Sequence, residues 1–134
     1  MSVHIAFCDD EESVLMLYRL MFSEEVNSNI LKLSLFSKGA DLLIELERDH
    51  SIVAIISDIN MPEMDGFELL GKVSSKYPDL IKYICSAYER EDFKNKAEAL
   101  RIKHYFSKPI DMDFMKEKIQ NDLLAIGEKV KFFI

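Results

Sequence analysis

The sequence predicts an α/β fold, a single doubly wound five-stranded parallel sheet with helices on both faces. Two observations carry this expectation. Short runs rich in β-branched and aromatic residues alternate, five times over, with longer stretches whose apolar residues recur every three or four positions. One short run, "IVAII", is apolar throughout, as a central strand covered on both sides must be, whereas "LKLSLF" alternates and belongs nearer an edge.

Taken in order, the strands are expected at residues 3–8, 31–36, 52–57, 80–85 and 103–106. The first helix is expected at 12–24, with Val14, Leu17, Tyr18, Met21 and Phe22 as its apolar residues. Others follow at 40–48 after Gly39, at 66–76 where "YPD" ends it, at 90–100, and from Met112 onward after Asp111. No internal repeat, low-complexity tract or Gly/Ser linker subdivides the chain. The expected organisation is one domain over 1–124, with 125–134 as an extension of the last helix or a linker. Met115, Ile119, Leu123, Ile126, Val130 and Phe133 keep helical spacing to the end, and a helix over 112–134 would reach about 34 Å. Two readings stand side by side. Either the helix stops near Gly127 and a disordered tail follows, or it continues as a connecting helix whose apolar stripe packs against a twin copy or an adjoining domain.

At 134 residues, 49% hydrophobic and 31% charged, the chain suits one ordinary core. Seventeen basic against twenty-four acidic residues leave a net charge of −7, which disfavours a nucleic-acid partner. Cys8 and Cys85 have no paired spacing and read as reduced, buried thiols; the three histidines have no ligand-like spacing and read as surface or strand residues. The start, "MSVHIAFCDD", lacks a basic leader segment, and no apolar run approaches the ~18 residues of a membrane span. A cytoplasmic location without membrane attachment is expected.

The chemistry lies where strands end. In an open parallel sheet, ligands bind outside the carboxyl ends of the strands. Asp9 and Asp10 follow the first strand directly and Asp58 follows the third, which lies beside the first in a 2-1-3-4-5 order. Three carboxylates in one shallow pocket repel one another unless a cation compensates, so the cluster predicts a divalent ion, Mg²⁺ by choice, held by oxygen ligands. Each acid alone is equally well read as a helix cap or turn opener, with Ser13 helping at the first helix. Jointly they are much harder to explain that way. Ser86 follows the fourth strand and Lys108 follows the fifth, adding a hydroxyl and an ammonium to the same edge. Metal and lysine would neutralise charge, hydroxyl and loop N–H groups would donate to oxygens, and Asp58 would attack phosphorus.

This ordered set (Asp9-Asp10, Asp58 followed by "MPEMDG", Ser86-Ala87, Lys108-Pro109) resembles the receiver domains of two-component response regulators over most of the chain. The resemblance implies a flavodoxin-like fold, with Asp58 as phosphoacceptor and Mg²⁺ held by Asp10 and Asp58, by the Asn60 carbonyl and, through water, by Asp9. Ser86 and Lys108 would contact the phosphoryl group. Tyr105 would be the aromatic that turns inward when Ser86 shifts, and Pro109 would follow a bond often cis in the family. Asn60 and Tyr88 would tune phosphate lifetime, with the bulkier Tyr88 dominant. A histidine kinase would be the donor. The output surface would be the fourth predicted helix, the fifth strand and the fifth predicted helix, acting on a partner or output domain. Alternatively the phosphate would be relayed to a histidine phosphotransfer domain. Beyond its own phosphorylation and dephosphorylation, no enzyme activity is expected.

Rival readings fit less well. A metal-dependent phosphatase with an aspartyl nucleophile would carry an acid where Asn60 stands, and a flavin-binding module would need a Ser/Thr/Gly-rich loop where "CDDEES" stands. One stretch departs from the receiver pattern. Arg101 and Ile102 occupy "ALRIKHYF" where a small residue and a glycine are common, so this helix end is expected to close differently.

Overall fold

The computed structural model describes residues 2–88 and 90–134. Its five parallel strands, β1 (Val3–Cys8), β2 (Leu31–Phe36), β3 (Ile52–Ser57), β4 (Ile81–Ser86) and β5 (His104–Ser107), form one sheet in the order β2-β1-β3-β4-β5. Around it lie α1 (Glu12–Met21), α2 (Ser23–Asn27), α3 (Gly39–Arg48), α4 (Gly66–Lys76), α5 (Glu91–Ala99) and α6 (Met112–Ala125). The apolar run of β3 is central and almost wholly buried, and the alternating β2 is an edge strand, as their patterns predict.

Because successive strand side chains face opposite ways, the sheet supports two cores. Phe7, Tyr83 and Cys85 point to one side, where they meet Tyr18 and Phe22 and the Ile119 and Leu123 stripe of α6. Ile55 and Ile84 point to the other, against Leu42 and Leu46 of α3 and Leu69, Leu70 and Val73 of α4. Cys8 and Cys85 are buried free thiols, one in each core. His4 lies in β1, a strand residue as expected, and is buried, its ring nitrogens bonded to the Ser51 hydroxyl at 2.8 Å and the Ser34 hydroxyl at 2.7 Å.

Three expectations need correction. The helix predicted at 12–24 is broken at Phe22, where the Ser23 hydroxyl donates to the Leu20 carbonyl at 3.0 Å. Such back-bonding competes with the helical ladder and bends it. Phe22 is thereby fully buried and Glu25 of α2 is turned inward.

The second correction concerns the C-terminus. The last helix stops near Gly127, as the first of the two readings has it, so the continuing helix is overturned and so is the disordered tail. Gly127 adopts a left-handed φ of 91°, the Gly127 N–H reaches the Leu124 carbonyl at 3.1 Å and the Glu128 N–H reaches the Leu123 carbonyl at 3.0 Å. Those paired bonds are a glycine-dependent helix stop. Ile126 is left 54% exposed, so the apolar stripe ends there. Residues 128–134 are not helical but pack back onto the domain. Val130 and Phe132 are buried, and Phe132 meets Phe22 edge-on at 5.7 Å. The Phe132 N–H donates to Gln120 Oε1 at 2.6 Å. The spacing of Val130 and Phe133 imitates a helix, whereas the buried pair is Val130 and Phe132, two apart as in an extended segment.

Third, the end of α5 closes in the usual way without its glycine. Arg101 itself adopts the left-handed conformation, φ 58°, with the Arg101 N–H on the Glu98 carbonyl at 3.0 Å and the Ile102 N–H on the Ala97 carbonyl at 2.9 Å. Holding a residue with a Cβ there costs about 1–2 kcal/mol. The packing of the turn overrides local preference.

Candidate functional site at the carboxyl edge of the sheet

β1 and β3 are neighbours, so their ends deliver Asp9, Asp10 and Asp58 to one place. The Asp58 N–H bonds to the Cys8 carbonyl at 2.9 Å, which prolongs the strand pairing up to the acid itself. Carboxylate oxygens of the three aspartates lie within 4.8 Å of one another. Asp9 and Asp58 are buried and Asp10 is exposed. Asp9 also does the local work that a single acid suggests, since its Oδ1 accepts the Glu11 N–H at 2.9 Å. Its Oδ2 faces the pocket.

Into that pocket comes Lys108, whose Nζ donates to Asp9 Oδ2 at 2.8 Å and lies 3.5 Å from Asp58 Oδ2. Burial works against the ammonium, but the hydrogen bond and charge of Asp9, with the charge of Asp58, outweigh it and hold its pKa above the ordinary value. Asp58 is shifted upward by burial and then by Asp9, against the opposing pull of Lys108 and the Ile59 N–H, which donates to Oδ1 at 2.8 Å. Cys8 beneath the site is pushed up to about 12 by burial and by the surrounding acids, so its thiol stays neutral. One lysine does not balance three carboxylates. Two ligands of one Mg²⁺ lie at most about 4.2 Å apart, so this all-oxygen set fits the ion with little movement.

The loop after Asp58 is folded away by backbone geometry. Glu63 is left-handed at φ 70°, and Asp65 caps α4 by accepting the Glu68 N–H at 2.8 Å. A Cβ on Gly66 would stand 2.0 Å from the Asp58 carbonyl oxygen, so only glycine lets α4 begin against the end of β3. Asn60 stands exposed in this loop.

On the other flank Ser86 ends β4, fully buried, and accepts the Tyr88 N–H on its hydroxyl at 3.2 Å. The Tyr88 side chain is exposed, while its carbonyl accepts the hydroxyl of Tyr105 from β5. Ser86, Tyr88 and Tyr105 are thus joined in series. The Lys108 N–H bonds to the Ser86 carbonyl at 2.9 Å, and the Lys108–Pro109 bond is cis.

The structure therefore brings Asp9, Asp10, Asp58 and Lys108 together, with Ser86 alongside. Sequence reasoning missed a second buried lysine–acid pair on the α1/α6 side, Lys116 Nζ to Glu25 Oε2 at 2.9 Å. Its only signal was Lys116 itself, a charge directly after Met115 in the apolar stripe.

Comparison with known proteins gives the family and the fold. The family described as the response regulator receiver domain matches residues 5–120. An uncharacterized 14.6 kDa protein of Leptolyngbya boryana is 35% identical over 123 residues, covering 90% of each chain. The transcriptional regulatory protein GlrR of Escherichia coli K12 is 28% identical over 120 residues, 90% of this chain but only 26% of that protein. Among solved structures, a CheY-like receiver domain protein from Methanospirillum hungatei superposes with a TM-score of 0.85 at 21% identity, over 93% of this chain and 96% of that one. The receiver domain of an HD domain-containing protein from Pseudomonas fluorescens gives 0.84 at 21% identity, over 93% and 97%. Both likenesses show the fold. The match over residues 5–120 shows the family, and the chain belongs to the response regulator receiver domains of two-component systems.

Proposed function

We propose that this receiver domain accepts a phosphoryl group on Asp58 from the phosphohistidine of a histidine kinase, in a Mg²⁺-dependent reaction. The observation that carries this is the convergence of Lys108 on Asp9 and Asp58 with carboxylate charge in excess. The Asp58 carboxylate attacks phosphorus, the new P–O bond forms, and the P–N bond breaks with its electron pair returning to the imidazole. Asp10 and Asp58, the Asn60 carbonyl and, through water, Asp9 would hold Mg²⁺, which when bound supplies charge neutralisation for the phosphoryl oxygens. Lys108 neutralises a further oxygen, and Ser86 donates its hydroxyl to another.

Ser86 drawn toward the phosphoryl group pulls on the Tyr88 N–H, and the Tyr88 carbonyl in turn holds the Tyr105 hydroxyl. This linkage supports a switch that reorients the α5-β5-α6 surface toward a partner or output domain. Tyr88 shields the acyl phosphate from water more than Asn60 orients it. Relay to a histidine phosphotransfer domain uses the same chemistry in reverse, with Asp58 as donor. Among the described residues no helix is long and apolar enough to cross a membrane.

Incubation with phosphoramidate and Mg²⁺ tests the assignment. One phosphoryl mass is expected on the wild type and none on Asp58→Asn; equal labelling of the variant overturns it.

A further inference from the structure

The opposite, amino-terminal edge of the sheet carries a reversed imbalance. Lys82, the second residue of β4, faces the α4/α5 side and is 4% exposed. A long lysine at a strand start ordinarily runs its stem along apolar surface and ends in water. Lys82 does so beside a recess of about 160 Å³ between the ends of α4 and α5, which it lines with Ser74, Pro78, Leu100 and Arg101, and its ammonium keeps a small contact with solvent there. Among the described residues its ammonium has no ion-pair or hydrogen-bond partner, and no carboxylate lines the recess.

Arg101 is the second cation of this recess, held in the strained left-handed turn described above. Burial lowers the Lys82 pKa, and the charge of Arg101 lowers it further. The carboxyl ends of α4 and α5 also converge here, and their dipoles favour cations. That attraction is already partly used, because the Glu98 and Ala97 carbonyls are taken by the turn and the Leu100 carbonyl accepts the Ser74 hydroxyl at 3.4 Å. Two cations and a loosely held hydroxyl around one small recess are the donor set of an oxyanion site.

We infer that the recess walled by Lys82, Arg101 and Ser74 binds a small oxyanion, a phosphate or a carboxylate, at the sheet edge opposite Asp58. The anion receives charge-assisted hydrogen bonds from Lys82 and Arg101, and Ser74 turns its hydroxyl from the Leu100 carbonyl to it. It would pin the end of α5 to the start of β4.

Isotope-labelled protein without Mg²⁺ is titrated with inorganic phosphate, and separately with acetate, at constant ionic strength against sodium chloride. The expected result is a saturable shift of the Lys82 and Arg101 side-chain resonances with at least one of the two, and which one responds identifies the anion. Lys82→Met should weaken that binding about tenfold or more, the scale of one charge-assisted hydrogen bond. It should also melt higher than wild type in chloride, since a partly desolvated charge is gone. Arg101→Gly keeps the turn in its preferred residue and should likewise bind about tenfold more weakly. No saturable response to either anion, or wild-type affinity in both folded variants, overturns the inference.

Discussion

Lys108 and Lys116 each cross the fold to an acid near the start of the chain, at 2.8 Å and 2.9 Å, and both are largely buried. Their surroundings make them opposites. Lys108 meets Asp9 with Asp58 and Asp10 close by, so negative charge remains and the site fits a dication and a phosphoryl group. Lys116 meets Glu25 alone, and the pair is closed by the tail. The Phe133 N–H donates to Glu25 Oε2 at 2.8 Å, and Lys116 donates to the Phe133 carbonyl at 3.0 Å. The Lys116 ammonium also lies 5.3 Å from the Phe22 ring centre. Only Glu25 Oε1 lacks a partner among the described buried side-chain atoms. Residual charge, more than burial, separates the pair proposed to be reactive from the structural one.

The contrast can be broken from either side. Lys108→Met should slow phosphorylation of Asp58 by about 10²–10³-fold, the scale of losing one preorganised electrostatic partner, while the domain stays folded. Phosphoramidate labelling followed by mass spectrometry and circular dichroism reads both. Lys116→Met should do the converse. It strands a buried carboxylate and should cost about 3–5 kcal/mol in a urea melt, with labelling of the folded fraction unchanged. The double variant Glu25→Leu, Lys116→Met should recover most of that loss, because an apolar pair of similar volume replaces the ion pair.

Removing residues 128–134 should cost less, about 2–3 kcal/mol, for uncovering Val130 and Phe132 and their partners. A loss below about 0.5 kcal/mol would mean that the tail adds nothing to the Glu25–Lys116 pair.

The mildest effect is expected at a third buried group, His4. Burial, and then the charge of Lys32, lower its pKa against the opposing charges of Asp49 and Glu45. The unfolded chain therefore takes up a proton before the folded one does. Stability should fall as the pH drops from about 6.5 toward the folded value and level off below it. Denaturation of wild type and His4→Gln between about pH 7.5 and pH 5 isolates this term, which should vanish in the variant.

Much of this was readable in the residues, for physical reasons. Strand order and the rule for carboxyl edges place Asp9, Asp58, Ser86 and Lys108 at adjacent strand ends, so a linear pattern forecasts a meeting in space. The fourth and fifth strands begin one residue later than the spacing suggests, at Ile81 and His104. What failed were features decided by packing across the fold. Helical spacing past Gly127 hid a tail that turns back, and nothing local to Glu25 or Lys116 says that they meet. Arg101 shows tertiary packing overriding backbone preference, and Lys82 inside "IKYICS" looks like an ordinary strand residue until its surroundings are known.

The missing Cβ of Gly66 has a mechanical consequence. With the amino end of α4 butted against the Asp58 carbonyl, that flank of the acid is a fixed bearing with no slack to take up. On the switch proposed above, movement started at Asp58 would leave by the other flank, along Ser86, Tyr88 and Tyr105, where single hydrogen bonds rather than abutting backbone join the parts. Under that proposal the fold itself would set the direction of the signal before any partner is present.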